Sequence, residues 1–155
     1  MHEYFRIIQR KHESTPLAFG SGGARWNPKG VPLIYAGSHC SLVILEFLCI
    51  KGSSVMSSEW SLLSLSIKSE PSVIDVKTLP IDWDVKPYPG TTQDIGRGWV
   101  KENTSVCLKV PSIRIPLNVF PNEHSLLINP MHPDFLKEVE VKNVDLLSFN
   151  LNDWA

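Results

Sequence analysis

The sequence predicts a mixed α+β domain in which short strands outnumber helices. Three observations lead there. Runs of β-branched, aromatic and aliphatic residues recur along the whole chain, and most are too short for anything but a strand. Only two segments carry helix-type signals, and prolines and glycines punctuate most of the connections. With 155 residues and 43% hydrophobic side chains, the chain can build one core, and 1–155 is read as a single domain.

In order, His2–Gln9 has strand character and starts the sheet. Lys11–Asn27 is polar and irregular, and glycines at Gly20, Gly22, Gly23 and, just beyond, Gly30 mark a segment with a role of its own. Val31–Ala36 reads as a short strand. Ser38 can cap a helix that runs to about Lys51, with Gly52 as its C-terminal cap. That helix is apolar nearly all round, which predicts a central position. Trp60–Ile67 and Ser72–Val76 look like strands, the first with Leu63, Leu65 and Ile67 on one face. Leu79–Gly90 holds Pro80, Pro87 and Pro89 and is a loop. Thr91–Glu102 reads as a second helix capped by Thr91 or Thr92, in which Gly96 and Gly98 signal close packing or a close ligand. Ser105–Val110, Ser125–Asn129 and Phe135–Val141 complete the strands, without repeats or low-complexity stretches.

Composition removes several functional classes. The net charge is −1 and the basic residues are scattered, so no nucleic-acid stripe is expected. The apolar run Leu42–Ile50 is far shorter than a membrane span, and the first residues lack a signal-type apolar stretch. Cys40, Cys49 and Cys107 have no metal-type spacing, which fits reduced, buried thiols in a cytoplasmic protein. His39, His124 and His132 lack partners at metal-ligand spacing, so no metal site is expected. There is no serine-hydrolase elbow, and the glycines complete neither a dinucleotide fingerprint nor a phosphate-binding loop. Trp26, Trp60, Trp83, Trp99 and Trp154 suit core or turn anchors better than a nucleic-acid platform.

Three groups carry the chemistry. Arg25 follows Gly22-Gly23, where the backbone can turn tightly, and a guanidinium fork matches phosphate oxygens; a turn arginine stacked on Trp26 is the plainer alternative. Tyr35 ends an apolar strand and offers a ring face for a planar base, or a core ring whose hydroxyl reaches water. Glu46 is the one side chain charged at neutral pH between His39 and Lys51, so it needs a cation, a ligand or a proton. Arg25 and a surface salt bridge are both open as its partner. Ser112 and Asn129 stand at strand ends, where each can bind a ligand or cap a turn.

The order of these residues resembles RES-domain proteins, the toxin half of RES–Xre toxin–antitoxin pairs. The resemblance begins with Gly22-Gly23-Ala24-Arg25-Trp26-Asn27, Gly30-Val31-Pro32 and Tyr35, and includes Glu46 within Leu42–Leu48. It continues through Trp83, Thr92–Trp99 and Val110-Pro111-Ser112 to Leu127–Phe135. Ala24 departs from the usual glycine before the arginine, and Leu117–Glu123 looks like an insert. The resemblance implies a fold similar to ADP-ribosyltransferases, with two small sheets around a cleft for NAD. NAD is then a substrate, with no permanently bound cofactor and inorganic phosphate as a co-substrate of phosphorolysis. The implied catalytic set is Arg25, Tyr35 and Glu46, with Trp26, Asn27, Ser112 and Asn129 binding substrate. Arg25 would hold the pyrophosphate or an incoming phosphate, Tyr35 would stack on nicotinamide, and Glu46 would bind the ribose and stabilise its positive charge. Cleavage of the nicotinamide–ribose bond would deplete NAD and arrest growth; ADP-ribosyl transfer to a protein, and a non-catalytic binding module, are the alternatives. The implied partner is an Xre-like helix-turn-helix antitoxin, and a homodimer within a larger toxin–antitoxin complex is compatible with the family.

Overall fold

A computed structural model describes residues 1–150; Trp154, expected as an anchor, lies outside them. The strands are β1 (His2–Gln9), β2 (Ile34–Gly37), β3 (Trp60–Ile67), β4 (Ser72–Val73), β5 (Cys107–Val110), β6 (Ser125–Ile128) and β7 (Val139–Leu147). The helices are α1 (Cys40–Lys51), α2 (Gly90–Glu102) and the single turn α3 (Phe135–Glu138). The mixed α+β class is as the sequence predicts.

All strands belong to one sheet in the order β4-β5-β6-β2-β1-β3-β7, where the resemblance implied two small sheets. The difference lies in one narrow joint. β1 and β3 pair along their whole length, from His2↔Ile67 to Gln9↔Trp60, whereas β1 meets β2 only at Phe5↔Gly37. β2 pairs with β6 over all four of its residues but with β1 at Gly37 alone, so toward Ile34 the strands β1 and β2 part. The sheet is therefore two leaves, β1-β3-β7 and β2-β6-β5-β4, joined at one position.

Side chains alternate between the two faces, as a strand requires. Ile34, Leu63, Leu65, Leu126, Ile128 and Val139 join Tyr4 and Ile8 in a core on one face, which crosses the joint. Leu63, Leu65 and Ile67 share that face as expected and are at most 1% exposed. On the other face Leu108, Val110 and Leu127 pack with Trp26, Leu33 and Trp99 of α2, and Tyr35 borders this cluster.

The structure corrects several expectations. α1 is not central: Leu42 is its one fully buried residue, and Ile50 is 69% exposed. With apolar residues on every side and no polar stripe, whichever side meets the sheet leaves apolar groups on the other. The docked side is tight: a Cβ on Gly37 would sit 2.6 Å from Val43 Cγ2, and the Phe47 ring meets Trp60 edge-on at 4.6 Å. Gly52 ends α1 at φ 56° as expected, but Ser38 is not its cap; His39 holds that position, and Ser38 Oγ accepts from the His124 N–H instead. Cys40–Ser57 forms an 18-residue apolar stretch, yet Gly52 interrupts it, and the 12 residues of α1 reach only about 18 Å of the ~30 Å a bilayer requires.

α2 begins at Gly90 with Pro89 in the N-cap position, so Thr91 and Thr92 lie inside the first turn, and their hydroxyls engage Asp82 and the Arg25 carbonyl. The strands at 31–36, 72–76 and 105–110 are shorter than predicted. Phe135–Val141 is not a strand throughout; its first four residues make the α3 turn before β7 starts. Cys107 is buried, but Cys49 is exposed because it lies on the solvent side of α1.

Candidate functional site

The segment Ala24–Asn27 is a closed turn clamped from three sides. Its own backbone closes it, with the Ala24 N–H donating to the Asn27 carbonyl at 2.9 Å. From β2, the Tyr35 hydroxyl donates to Asn27 Oδ1 at 2.5 Å and accepts from the Trp26 N–H at 3.1 Å. From α2, Thr92 Oγ1 donates to the Arg25 carbonyl at 2.6 Å and Gln93 Nε2 donates to the Ala24 carbonyl at 3.1 Å. Gly96 lets α2 come this near, since a Cβ there would stand 1.6 Å from the Trp26 carbonyl oxygen. The close packing expected of this glycine is realised, while Gly98 faces open space. Trp26 and Asn27 are 3% and 2% exposed, so both belong to the interior. Asn27 spends its amide on the Val31 carbonyl at 2.7 Å.

Arg25 leaves this turn toward the proline-rich loop. Its Nη1 donates to the carbonyls of Trp83 and Val85 at 2.9 and 3.0 Å. Burial, and then the nearby charge of Arg114, lower its pKa. The alternative of a turn arginine stacked on Trp26 does not describe it, because the guanidinium is bonded to the loop.

Glu46 projects from α1 to the end of β6, where Ser125 Oγ donates to its Oε1 at 2.6 Å. It is half-buried and makes no ion pair with a described residue; Arg25, named as its possible partner, is bonded elsewhere. The two still share a neighbourhood around Tyr35. Burial raises the tyrosine pKa, and the charges of Arg25 and Glu46 act on it with opposite signs. The Tyr35 hydroxyl is therefore neutral throughout the physiological range.

Ser112 lies two residues past β5, whose Val110 is in register with Ser125. It is buried, and its Oγ accepts from the Arg114 N–H at 3.1 Å, a turn-capping bond. Asn129 caps the turn after β6 through the Met131 N–H at 3.0 Å. It stands at the far end of β6 from Ser125, about 14 Å away by strand rise, so the structure does not bring it to Glu46. A cleft of about 300 Å³ near that far end is lined by Glu70, Cys107, His132 and Glu138, and it includes none of Arg25, Tyr35 and Glu46.

Sequence reasoning missed Ser125, and it missed Thr92 and Gln93 as individual contributors. Ser125 had a faint signal: it is the polar residue that opens an otherwise aliphatic strand. Behind it, His124 is held by two bonds, Tyr4 Oη–H to Nε2 at 2.8 Å and Nδ1–H to the Pro121 carbonyl at 2.7 Å. Burial lowers its pKa, so this imidazole is neutral.

A split sheet with an arginine, a tyrosine and a carboxylate gathered beside its joint defines a class of α+β proteins with a polar corner on one sheet face. The particular family follows from comparison: residues 3–152 match the RES domain, and the chain belongs to that family. It is 37% identical over 150 residues to "Toxin Res" of Yersinia enterocolitica, covering 94% of this chain and 93% of that protein. It is 32% identical over 133 residues to the "Prs ADP-ribosylating toxin" of a Sphingobium species, covering 81% and 79%. Among solved structures, the M. tuberculosis MbcT–MbcA toxin–antitoxin complex contains a chain with the same fold, at a TM-score of 0.71 and 14% identity over 95% of this chain and 84% of that one.

Proposed function

We propose that this protein is a toxin that cleaves the nicotinamide–ribose bond of NAD, by phosphorolysis or hydrolysis, and so arrests growth by depleting the nucleotide. The observation that carries the reading is the convergence of Arg25 and Glu46 on Tyr35 at one corner of the sheet, where the charges of both act on the tyrosine. The names of the relatives support the toxin role.

In this reading the bond from C1′ of the ribose to the nicotinamide nitrogen breaks, and its electron pair leaves with nicotinamide. The sugar passes through an oxocarbenium-like state. The Glu46 carboxylate, oriented by Ser125, stabilises the positive charge that builds there. Arg25 meets phosphoryl oxygens, and the Tyr35 ring lies beside the departing nicotinamide. A phosphate oxygen or a water then bonds to C1′, giving ADP-ribose 1-phosphate or ADP-ribose. Trp26 and Asn27 are too buried for broad contact with substrate, and they serve by holding Arg25 in place.

The test is to incubate the purified protein with NAD, with and without phosphate, and to follow nicotinamide by chromatography. Release that depends on phosphate selects phosphorolysis, and release without it selects hydrolysis. No release by folded protein in either condition sinks both.

ADP-ribosyl transfer to a protein is the second reading, favoured by the similarity to a relative named as an ADP-ribosylating toxin. It predicts labelling of a protein acceptor by radiolabelled NAD in a cell extract. The proposed partner is a helix-turn-helix antitoxin of the Xre type in the same cytoplasm, a reading supported by the toxin–antitoxin complex that shares this fold. Co-purification of the two products, with loss of NAD cleavage in the complex, tests it.

A further inference from the structure

We propose that Arg114 joins Arg25 in a two-guanidinium clamp for a phosphoryl group. Arg114 is then a second anion-binding residue of the candidate site, and Ser112 is the positioning residue that presents it. The inference rests on the nucleotide-cleaving reading above and adds to it the recognition of the anion.

Placement comes first. β5 ends at Val110, opposite Ser125, which in turn bonds Glu46. The chain then turns through buried Ser112, whose Oγ accepts the Arg114 N–H and fixes the backbone that carries the arginine. Val110 packs in one cluster with Trp26, the neighbour of Arg25, so the turn after β5 carries Arg114 out on the Arg25 side of the sheet, where its charge acts on Arg25.

Charge comes second. Neither arginine forms an ion pair among the described residues, and Arg25 engages its two carbonyl partners through Nη1 alone. The Arg114 guanidinium has no hydrogen-bond acceptor among the described residues, since its one such bond is through the backbone. Asp84 is the nearby carboxylate, and its effect on Arg25 is weaker than the opposing effect of Arg114. Both arginines are half-buried, and like charges in one neighbourhood repel. An anion in the gap reverses the sign of that interaction, and guanidinium forks fit phosphoryl oxygens in shape and number. A sugar or a neutral amide would leave the repulsion in place.

The phosphoryl group has two sources, the pyrophosphate of the nucleotide or free phosphate that attacks the sugar. The experiment is calorimetric titration of the intact protein with ADP-ribose and, separately, with inorganic phosphate, using wild type, R114Q and R114K. Thermal melts confirm folding, and R114A replaces R114Q if the latter does not fold. R114Q should weaken binding roughly ten- to a hundredfold, and R114K should recover part of it by restoring charge without the fork. Loss toward ADP-ribose assigns the clamp to the pyrophosphate, and loss toward phosphate alone assigns it to the incoming anion. S112A should weaken the same ligand by a smaller factor. Unchanged binding of both anions by R114Q, or no binding of either by wild type, overturns the clamp. Nicotinamide release by the wild type separates the two claims. Release with unchanged anion binding in R114Q sinks only the clamp, and Arg114-dependent phosphate binding without release sinks only the NAD reading.

Discussion

Tyr35 and Asn27 are joined through one short bond, the tyrosine hydroxyl donating to Asn27 Oδ1, while the same oxygen accepts the Trp26 N–H. The residue expected to offer a ring to the nicotinamide also carries the turn that presents Arg25. Its two ends do different jobs: the hydroxyl is committed to the protein, and the ring edge borders the α2-side core.

Tyr35→Phe should separate those jobs. It keeps the ring but orphans the Asn27 oxygen and the Trp26 N–H, at a cost of about 1–3 kcal/mol. We expect a lower melting temperature and a raised KM for NAD, because Arg25 is less well held. A variant with wild-type stability and KM would show that the bond does not organise the turn.

Gly96→Ala should be among the most damaging single-methyl changes. The new Cβ would overlap the Trp26 carbonyl, and relieving that pushes α2 off the Arg25 turn, at about 3 kcal/mol or more. Gly98→Ala, two residues along the same helix and facing open space, should be neutral or stabilise by up to ~1 kcal/mol. Paired thermal melts of the two variants check the contrast, which helix propensity alone would not produce.

Ser125→Ala and Glu46→Gln probe the carboxylate. Without the Ser125 hydroxyl, Glu46 keeps its charge but loses the bond that aims it. Turnover of NAD should fall about tenfold at nearly unchanged stability, the loss of one charge-assisted hydrogen bond. Glu46→Gln removes the charge and should fall further, by about a hundredfold. Equal turnover in Glu46→Gln and wild type would take Glu46 out of the chemistry.

His124 gives the fold a pH dependence of defined sign. Its folded pKa is lowered, so between that value and the unfolded value of about 6.5 the unfolded chain binds a proton that the native protein does not. The stability is fully present above about pH 6.5 and is lost as pH falls toward the folded pKa, with a slope of at most ~1.4 kcal/mol per pH unit from this group. Denaturant titrations of wild type and His124→Gln between pH 5 and pH 7 should differ in slope by this contribution, falling less steeply in the variant.

The sequence made some of this legible and hid the rest for physical reasons. β1 and β3 were readable because each is a long run of strand formers between breakers, and Gly96 was readable because a glycine inside a helix needs a reason. α1 misled, because an apolar composition reports what a helix is made of and not whether anything covers its outer side. The α3 turn was hidden within a segment whose aliphatic residues suit a strand equally well. At the site, Arg25, Tyr35 and Glu46 stood out by type and surroundings. Their actual partners did not, because Ser125 is 79 residues from Glu46 and Thr92 is 67 from Arg25, distances that only the strand order closes. Asn129 shows the converse: a residue at a strand end is promising in sequence, but β6 has two ends and Asn129 is on the wrong one for Glu46.

The single pairing of Phe5 with Gly37 gives little backbone coupling between the two leaves. A slip in β1, β3 or β7 reaches β2 and β6, which carry Tyr35 and Ser125, through side chains instead: the core that crosses the joint and the Tyr4–His124 bond. α1 bridges the joint, since its Phe47 meets Trp60 of β3 while its Glu46 meets Ser125 of β6. Glu46 is thus positioned by both leaves, so a substitution that shifts α1 on the long strands also displaces the carboxylate from Tyr35 and Ser125 on the short ones.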